Sequence, residues 1–221
     1  MLPFIQLCLP ITAPRPPGGD GWLHEIKHDG YRILTRREDE SVRLITRTGD
    51  DWTERYPFIV DALTLLPVHS CLIDAEAVVC DAKGVAQFEM LRGREHDSEV
   101  FLYAFDLLEV NGKDLRADPI EERKRALTTL LRRSGPGLRL NGHLEADGQV
   151  IFPHACRMGL EGVVSKRRGS RYRSGRCLDW LQSRNPDGPA AQRLRRKPGE
   201  SARALLDPQN AQLLAEVLEQ T

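Results

Sequence analysis

The chain has 221 residues, 40% of them hydrophobic, and its 32 basic side chains balance 32 acidic ones to a formal net charge of zero. That length supports one sizeable domain, or one domain plus an appendage, and the mixed charge and apolar content exclude a disordered chain. No apolar run approaches the roughly 18 residues needed to cross a bilayer, and Met1–Pro10 lacks a preceding basic residue and is broken by Pro3 and Pro10, so neither a membrane partner nor a signal peptide is expected.

The neutral total is a cancellation. Residues 166–197 carry eleven basic side chains against Asp179 and Asp187, while the segments on either side are net acidic. A basic stretch of this density is the electrostatic footprint of a polyanion binder, and a solvated basic face is the ordinary alternative. The five cysteines (Cys8, Cys71, Cys80, Cys156, Cys177) are odd in number and show no C-x-x-C spacing. They read as reduced thiols of a cytoplasmic protein. No His/Cys cluster has zinc-site spacing.

In chain order, residues 1–20 are rich in Pro and Gly and read as an extended lead-in. Strand-like runs follow at Gly21–Lys27, Tyr31–Arg37 and Ser41–Arg47, the last two joined by Glu38-Asp39-Glu40, as in an antiparallel meander. A helix is expected over Glu54–Leu66, then two buried strands over Cys71–Cys80 and Val100–Val110. Asp118 as N-cap, Pro119 at the first helical position and Glu121 and Glu122 in the first turn predict a helix over Pro119–Arg133. A helix at Gln149–Met158 and strands at Gly162–Lys166 and Leu178–Arg184 complete a domain over 21–186. Residues 187–221 read as a basic linker and a short terminal helix that starts at Asp207-Pro208 and turns Leu213, Leu214, Val217 and Leu218 to one side. The pattern is α+β, with largely antiparallel sheets flanked by helices.

The segment richest in chemistry is Glu25-Ile26-Lys27-His28-Asp29-Gly30-Tyr31-Arg32. On a strand, Glu25, Lys27 and Asp29 would share one face. Gly30 would allow a sharp turn with positive φ, and Arg32 would open the returning strand. A lysine crowded by charge against a sheet can serve as a nucleophile. A lone E-x-K is ordinarily a surface ion pair; the full E-x-K-x-D-G-x-R string is far more specific.

That string resembles the nucleophile motif of ATP-dependent DNA ligases, within the covalent nucleotidyltransferases. Further segments resemble that family's motifs in order: Ile45–Gly49 with Arg47, Leu72–Val78 with Glu76, Leu102–Leu108 with Phe105, Leu160–Lys166 with Glu161 and Lys166, and Arg171–Arg176 with Trp180-Leu181. The similarity spans about Gly21–Pro186 and is strongest to the ligase domain of bacterial non-homologous end-joining ligases. It implies a nucleotidyltransferase fold in which Lys27 takes AMP from ATP, passes it to a DNA 5′-phosphate, and a 3′-hydroxyl displaces it. It further implies that Glu25, Arg32, Arg47, Glu76, Phe105, Lys166 and Arg184 bind the nucleotide, Phe105 by stacking on the base. Glu76 and Glu161 would hold Mg²⁺ or Mn²⁺ through oxygen ligands. Nicked or broken duplex DNA is the expected partner, with the protein nucleoid-associated when on DNA.

Two departures stand out. The family's last motif reads W-(I/L)-K-x-K, whereas Trp180-Leu181-Gln182-Ser183-Arg184 places glutamine and arginine at the lysine positions. Losing one charge that faces a developing negative charge typically costs ~10²–10³ in rate. The resemblance also implies an OB-fold after this domain, and too few residues follow Pro186 for that barrel. An OB-fold or DNA end-binding partner protein would supply that function. The alternative is a degenerate ligase-like module that binds nucleotide or nicked DNA without sealing it.

Overall fold

The protein's computed structural model describes residues 5–196. In chain order the elements are β1 (Cys8–Thr12), β2 (Trp22–Lys27), β3 (Tyr31–Glu38), β4 (Ser41–Thr46), α1 (Pro57–Thr64), β5 (Ser70–Val78), α2 (Phe88–Gly93), β6 (Phe101–Val110) and β7 (Lys113–Asp114). They continue as α3 (Ile120–Leu131), β8 (Leu138–Leu140), β9 (His143–Leu144), α4 (Gly148–Arg157), β10 (Gly162–Arg167), β11 (Gly175–Arg184) and α5 (Pro189–Arg196). The chain forms two units. One takes the residues up to Lys27, His143–Arg168 and Arg173 onward; the other takes His28–Gly142 and Gly169–Tyr172.

The first unit is built on a five-stranded sheet in the order β1-β11-β10-β2-β9. Directly opposed residues of paired strands project to the same face. One face of β2 and β10 is apolar: Ile26 and Val163 pack with Ile151 and Ala155 of α4. The other face carries three cross-strand rows, Lys27–Gly162–Arg184, Glu25–Val164–Gln182 and Leu23–Lys166–Trp180. Gly162 is indispensable to the first row. Its φ is +153°, and a Cβ there would lie 2.1 Å from the Ser183 carbonyl oxygen.

His24 lies on the α4 side of β2, fully buried, with Nδ1 2.9 Å from Ser165 Oγ. Burial pushes its pKa below the ordinary value of 6.5, and Asp147 opposes that shift less strongly. The unfolded chain therefore takes up this proton more readily than the folded one. Stability is full above about pH 6.5 and falls as pH drops toward the lowered folded value. Urea melts from about pH 7.5 to about pH 5.5 should show a steeper loss for the wild type than for His24→Gln, and parallel losses would rule the effect out.

The second unit has a six-stranded sheet, β4-β3-β5-β6-β7, with β8 parallel to β6. Ile33, Ile73, Ala75, Ala77, Leu102, Ala104 and Leu107 make its apolar face, cored with Ile59 and Leu63 of α1 and Leu127, Leu130 and Leu131 of α3. Each fully buried Leu or Ile there contributes roughly 1.5–3 kcal/mol. The opposite face is mixed, with Val78 and Phe101 in a small apolar cluster, and a polar row runs across four strands as Arg139–Tyr103–Glu76–Arg32.

Several expectations change. The lead-in contains β1, which pairs parallel with β11 and buries Cys8 and Ile11; this single short strand, with Pro10 at its centre, has too little alternation to register in sequence. The segment expected to be a linker begins with α5. The helix expected over Glu54–Leu66 starts only at Pro57, because Thr53–Arg55 form a 3₁₀ turn. Pro119, not Asp118, occupies the N-cap of α3, and the Asp118 carboxylate reaches Lys113 instead. Asp29 lies beyond the end of β2 and so does not share a strand face with Glu25 and Lys27. Gly30 has no positive φ; it is required for space, since a Cβ would sit 2.2 Å from the Ala77 carbonyl oxygen. None of the five cysteines is in a disulfide. The terminal helix expected beyond Asp207 lies outside the described residues.

Candidate active site

In the first unit, β2 ends at Lys27 because Asp29 and Gly30 turn the chain, leaving the Lys27 side chain at the sheet's rim. Its ammonium lies 3.0 Å from both carboxylate oxygens of Glu161, the residue that precedes β10. Glu161 is fixed through its backbone, whose carbonyl accepts from Asn185 N–H at 2.7 Å. The φ of Gly162 turns the chain there, and the close approach of the Ser183–Arg184 backbone leaves no room for a side chain.

The next rows hold the other expected residues of this unit. Lys166 is almost fully buried, and its ammonium sits 2.9 Å from Glu25 Oε2 and 4.1 Å from the centre of the Trp180 ring. Burying a charge is costly unless it is paired, and here a carboxylate and an aromatic face both serve. Sequence reasoning assigned Glu25 and Lys166 separately to nucleotide; the structure joins them as a buried pair. Gln182 is half-buried, and its Nε2 donates to Thr12 Oγ1 at 3.1 Å, while Arg184 is exposed at the end of the Lys27 row.

In the second unit, Arg32, Glu76 and Phe105 share the polar sheet region. Arg32 Nε and Nη2 form a two-point bond with the buried Asp74, at 2.8 and 2.5 Å. Tyr172 Oη donates to the same carboxylate at 2.7 Å. Burial opposes the Arg32 charge, but Asp74 outweighs it, helped by Tyr172 and Glu76, and the guanidinium pKa is raised. The guanidinium carbon lies 5.3 Å from the centre of the half-buried Phe105 ring. A cation and an aromatic face side by side suit a nucleotide's phosphate and base. Arg47 stands apart, exposed in the turn after β4.

Sequence reasoning missed Asp74, Tyr172 and Thr12. The two-residue alternation from Glu76 could have pointed to Asp74, since both lie on one strand face. Nothing local marks Tyr172, which is distant in sequence from Asp74.

Among the described residues no three His, Cys, Asp or Glu side chains form a group able to hold a metal ion. Carboxylate oxygens such as those of Glu76 and Glu161 are the donor type that Mg²⁺ takes, commonly one or two with substrate phosphates and water completing the shell. No helix of the described residues is long and apolar enough to cross a membrane.

Residues 13–183 match the family model described as the ATP dependent DNA ligase domain. The chain belongs to that family. It is 44% identical over 172 residues to the multifunctional non-homologous end joining protein LigD of Pseudomonas aeruginosa, a match covering 76% of this chain and 20% of that protein. The corresponding LigD of Mycobacterium tuberculosis is 37% identical over 165 residues, covering 74% and 22%. The structure of mycobacterial DNA ligase D complexed with ATP and MES superimposes with a TM-score of 0.72 at 32% identity, covering 81% of this chain and 60% of that one. The chain thus spans about a fifth of the length of the LigD proteins it matches. Its fold is the ligase adenylation domain, two sheets flanked by a few helices.

Proposed function

We propose that this ligase-family domain seals breaks in duplex DNA through a covalent lysine–AMP intermediate on Lys27, as part of DNA repair. The observation that carries the reading is Lys27 held 3.0 Å from Glu161 at the rim of a charged sheet face. Attack of the Lys27 amine on the α-phosphorus of ATP forms a P–N bond and breaks the P–O bond to the β-phosphate. Pyrophosphate leaves; the Lys27 ammonium gives up one proton before the attack and a second as the P–N bond forms, both ending on water. Glu161 aims the amine, which is the positioning that in-line phosphoryl chemistry needs. Arg32, clamped by Asp74, offers its charge to phosphate, and Phe105 offers its face to the base. Glu76 and Glu161 are the oxygen ligands proposed for Mg²⁺, which would neutralise charge on the phosphates of ATP.

The AMP then moves to a DNA 5′-phosphate, and a 3′-hydroxyl displaces it. Arg171, Arg173, Arg176 and Arg184 are all exposed, in keeping with a DNA-facing basic surface. Binding through such contacts weakens steeply with salt.

The test supplies Mg²⁺ and ATP labelled on the α-phosphate. An acid-labile protein adduct is expected, followed by sealing of a nicked duplex. No adduct at any protein concentration would sink the enzymatic reading.

One observation favours the degenerate-module reading. Gln182 brings a neutral amide, bonded to Thr12, to the sheet face where the family motif has lysine. On the ligase reading, Gln182→Lys raises the rate of adduct formation by up to ~10²-fold. An unchanged rate would mean that charge at this position is dispensable here.

A further inference from the structure

Among the described residues Lys124 of α3 is the most deeply buried lysine after Lys166, and its ammonium donates to two backbone carbonyls, that of Phe105 at 3.2 Å and that of Asn141 at 3.1 Å. A charge carried into the protein interior needs such partners to be tolerated, and the choice of these two is informative. Phe105 carries the ring proposed to stack on the base. Asn141, itself buried, is held by its N–H, which donates to the Ala104 carbonyl at 2.7 Å. Its side-chain Oδ1 lies 3.3 Å from His28 Nε2, and an amide oxygen can only accept, so this contact favours the tautomer protonated at Nε2. The His28 ring in turn lies flat on Tyr103, centroids 4.0 Å apart and planes 10° from parallel. His28 is the residue bonded to Lys27 through the peptide link. A hydrogen bond and a stacked face both hold it.

We infer that Lys124 and Asn141 are positioning residues for adenylyl transfer: one buried ammonium sets both the strand segment of Phe105 and, through Asn141, the orientation of His28 and the peptide that follows the nucleophile. This rests on the lysine–AMP reading above. Neither residue touches the reacting atoms. Their effect is geometric, and displacements of about 1 Å at a reacting group can cost ~10²-fold in rate.

Three variants in the full chain test it: Asn141→Leu removes the acceptor at near-constant volume, Asn141→Asp keeps an acceptor for His28, and Lys124→Met removes the ammonium but fills its space. Single-turnover adduct formation with α-labelled ATP is measured per adenylation-competent molecule, so that a misfolded fraction does not enter the rate. Asn141→Leu should lower the maximal rate at least ~10-fold with little change in the ATP concentration giving half-maximal rate. Asn141→Asp should recover most of that loss. Lys124→Met should both lower the rate and raise the half-maximal ATP concentration, because the Phe105 segment is released as well. Wild-type rates in Asn141→Leu, or equal impairment of Asn141→Leu and Asn141→Asp, would overturn the inference and leave the lysine–AMP reading standing. Absence of any adduct in the wild type would overturn both.

Discussion

Lys27→Ala is expected to abolish the transfer of label from ATP to the protein, a loss of several orders of magnitude with the fold retained. An amine is the only group at this position that can form the P–N bond, so no neighbouring side chain replaces it. The Lys27 side chain is about one-fifth exposed, but Glu161 is buried, so its carboxylate loses this partner on substitution by alanine. Circular dichroism should stay close to wild type, with the thermal midpoint somewhat lowered. Lys27→Arg is the sharper control, because it keeps the positive charge beside Glu161 but supplies a guanidinium that does not deprotonate to a nucleophile. It should be as inactive as Lys27→Ala. Retention of a labelled adduct in either variant would show that another residue accepts the AMP. If the arginine variant alone were active, the role of position 27 would be electrostatic.

The largest effect on stability is expected from Asp106→Ala. Arg123 and Asp106 form a two-point ion pair at 2.7 and 2.9 Å between α3 and β6, and both side chains are fully buried. The same guanidinium donates to the backbone carbonyls of Asp118 and Ser170. Removing the carboxylate strands a buried cation and should cost about 3–5 kcal/mol. Replacing both members together, as in Arg123→Met with Asp106→Leu, should destabilise less than Asp106→Ala, because no charge is then left in the interior. Urea unfolding of the three proteins decides this. A midpoint for Asp106→Ala within error of wild type would mean that water or a rearranged neighbour already compensates Arg123. A double variant worse than the single one would mean that the tie from Arg123 to Ser170 matters more than the charge pair.

Much of the candidate site is legible along the chain because its residues sit in short local strings. Glu25, Lys27 and Arg32 are spaced by the strand–turn–strand they occupy, and Glu161 and Lys166 lie near the two ends of β10. Such spacing is a local property, so sequence preserves it. The partners of these residues are a different matter. Asp74 holds Arg32 from the neighbouring strand β5, and Tyr172 reaches the same carboxylate from a segment 98 residues further on. Glu25 and Lys166 each suggested a nucleotide contact when taken alone, and only the pairing of β2 with β10 reveals that they bury each other's charge. Gly30 makes the same point: turn chemistry suggested a left-handed residue, whereas the requirement comes from the close approach of the Ala77 carbonyl.

By itself, then, the amino-acid order determined the α+β class, the main strands, the family and the residue types of the site, because alternation, capping and motif spacing are all short-range. It also exposed the cancellation behind the zero net charge, with the basic excess confined to residues 166–197. Tertiary structure decided which of those charges face outward and which neutralise each other. Arg171, Arg173, Arg176 and Arg184 are exposed, while Lys166, from the same basic stretch, is spent on a buried carboxylate. Hydrogen bonds and ion pairs form between strands distant along the chain, and the cost of burying an unpaired charge selects the partners that no local pattern records.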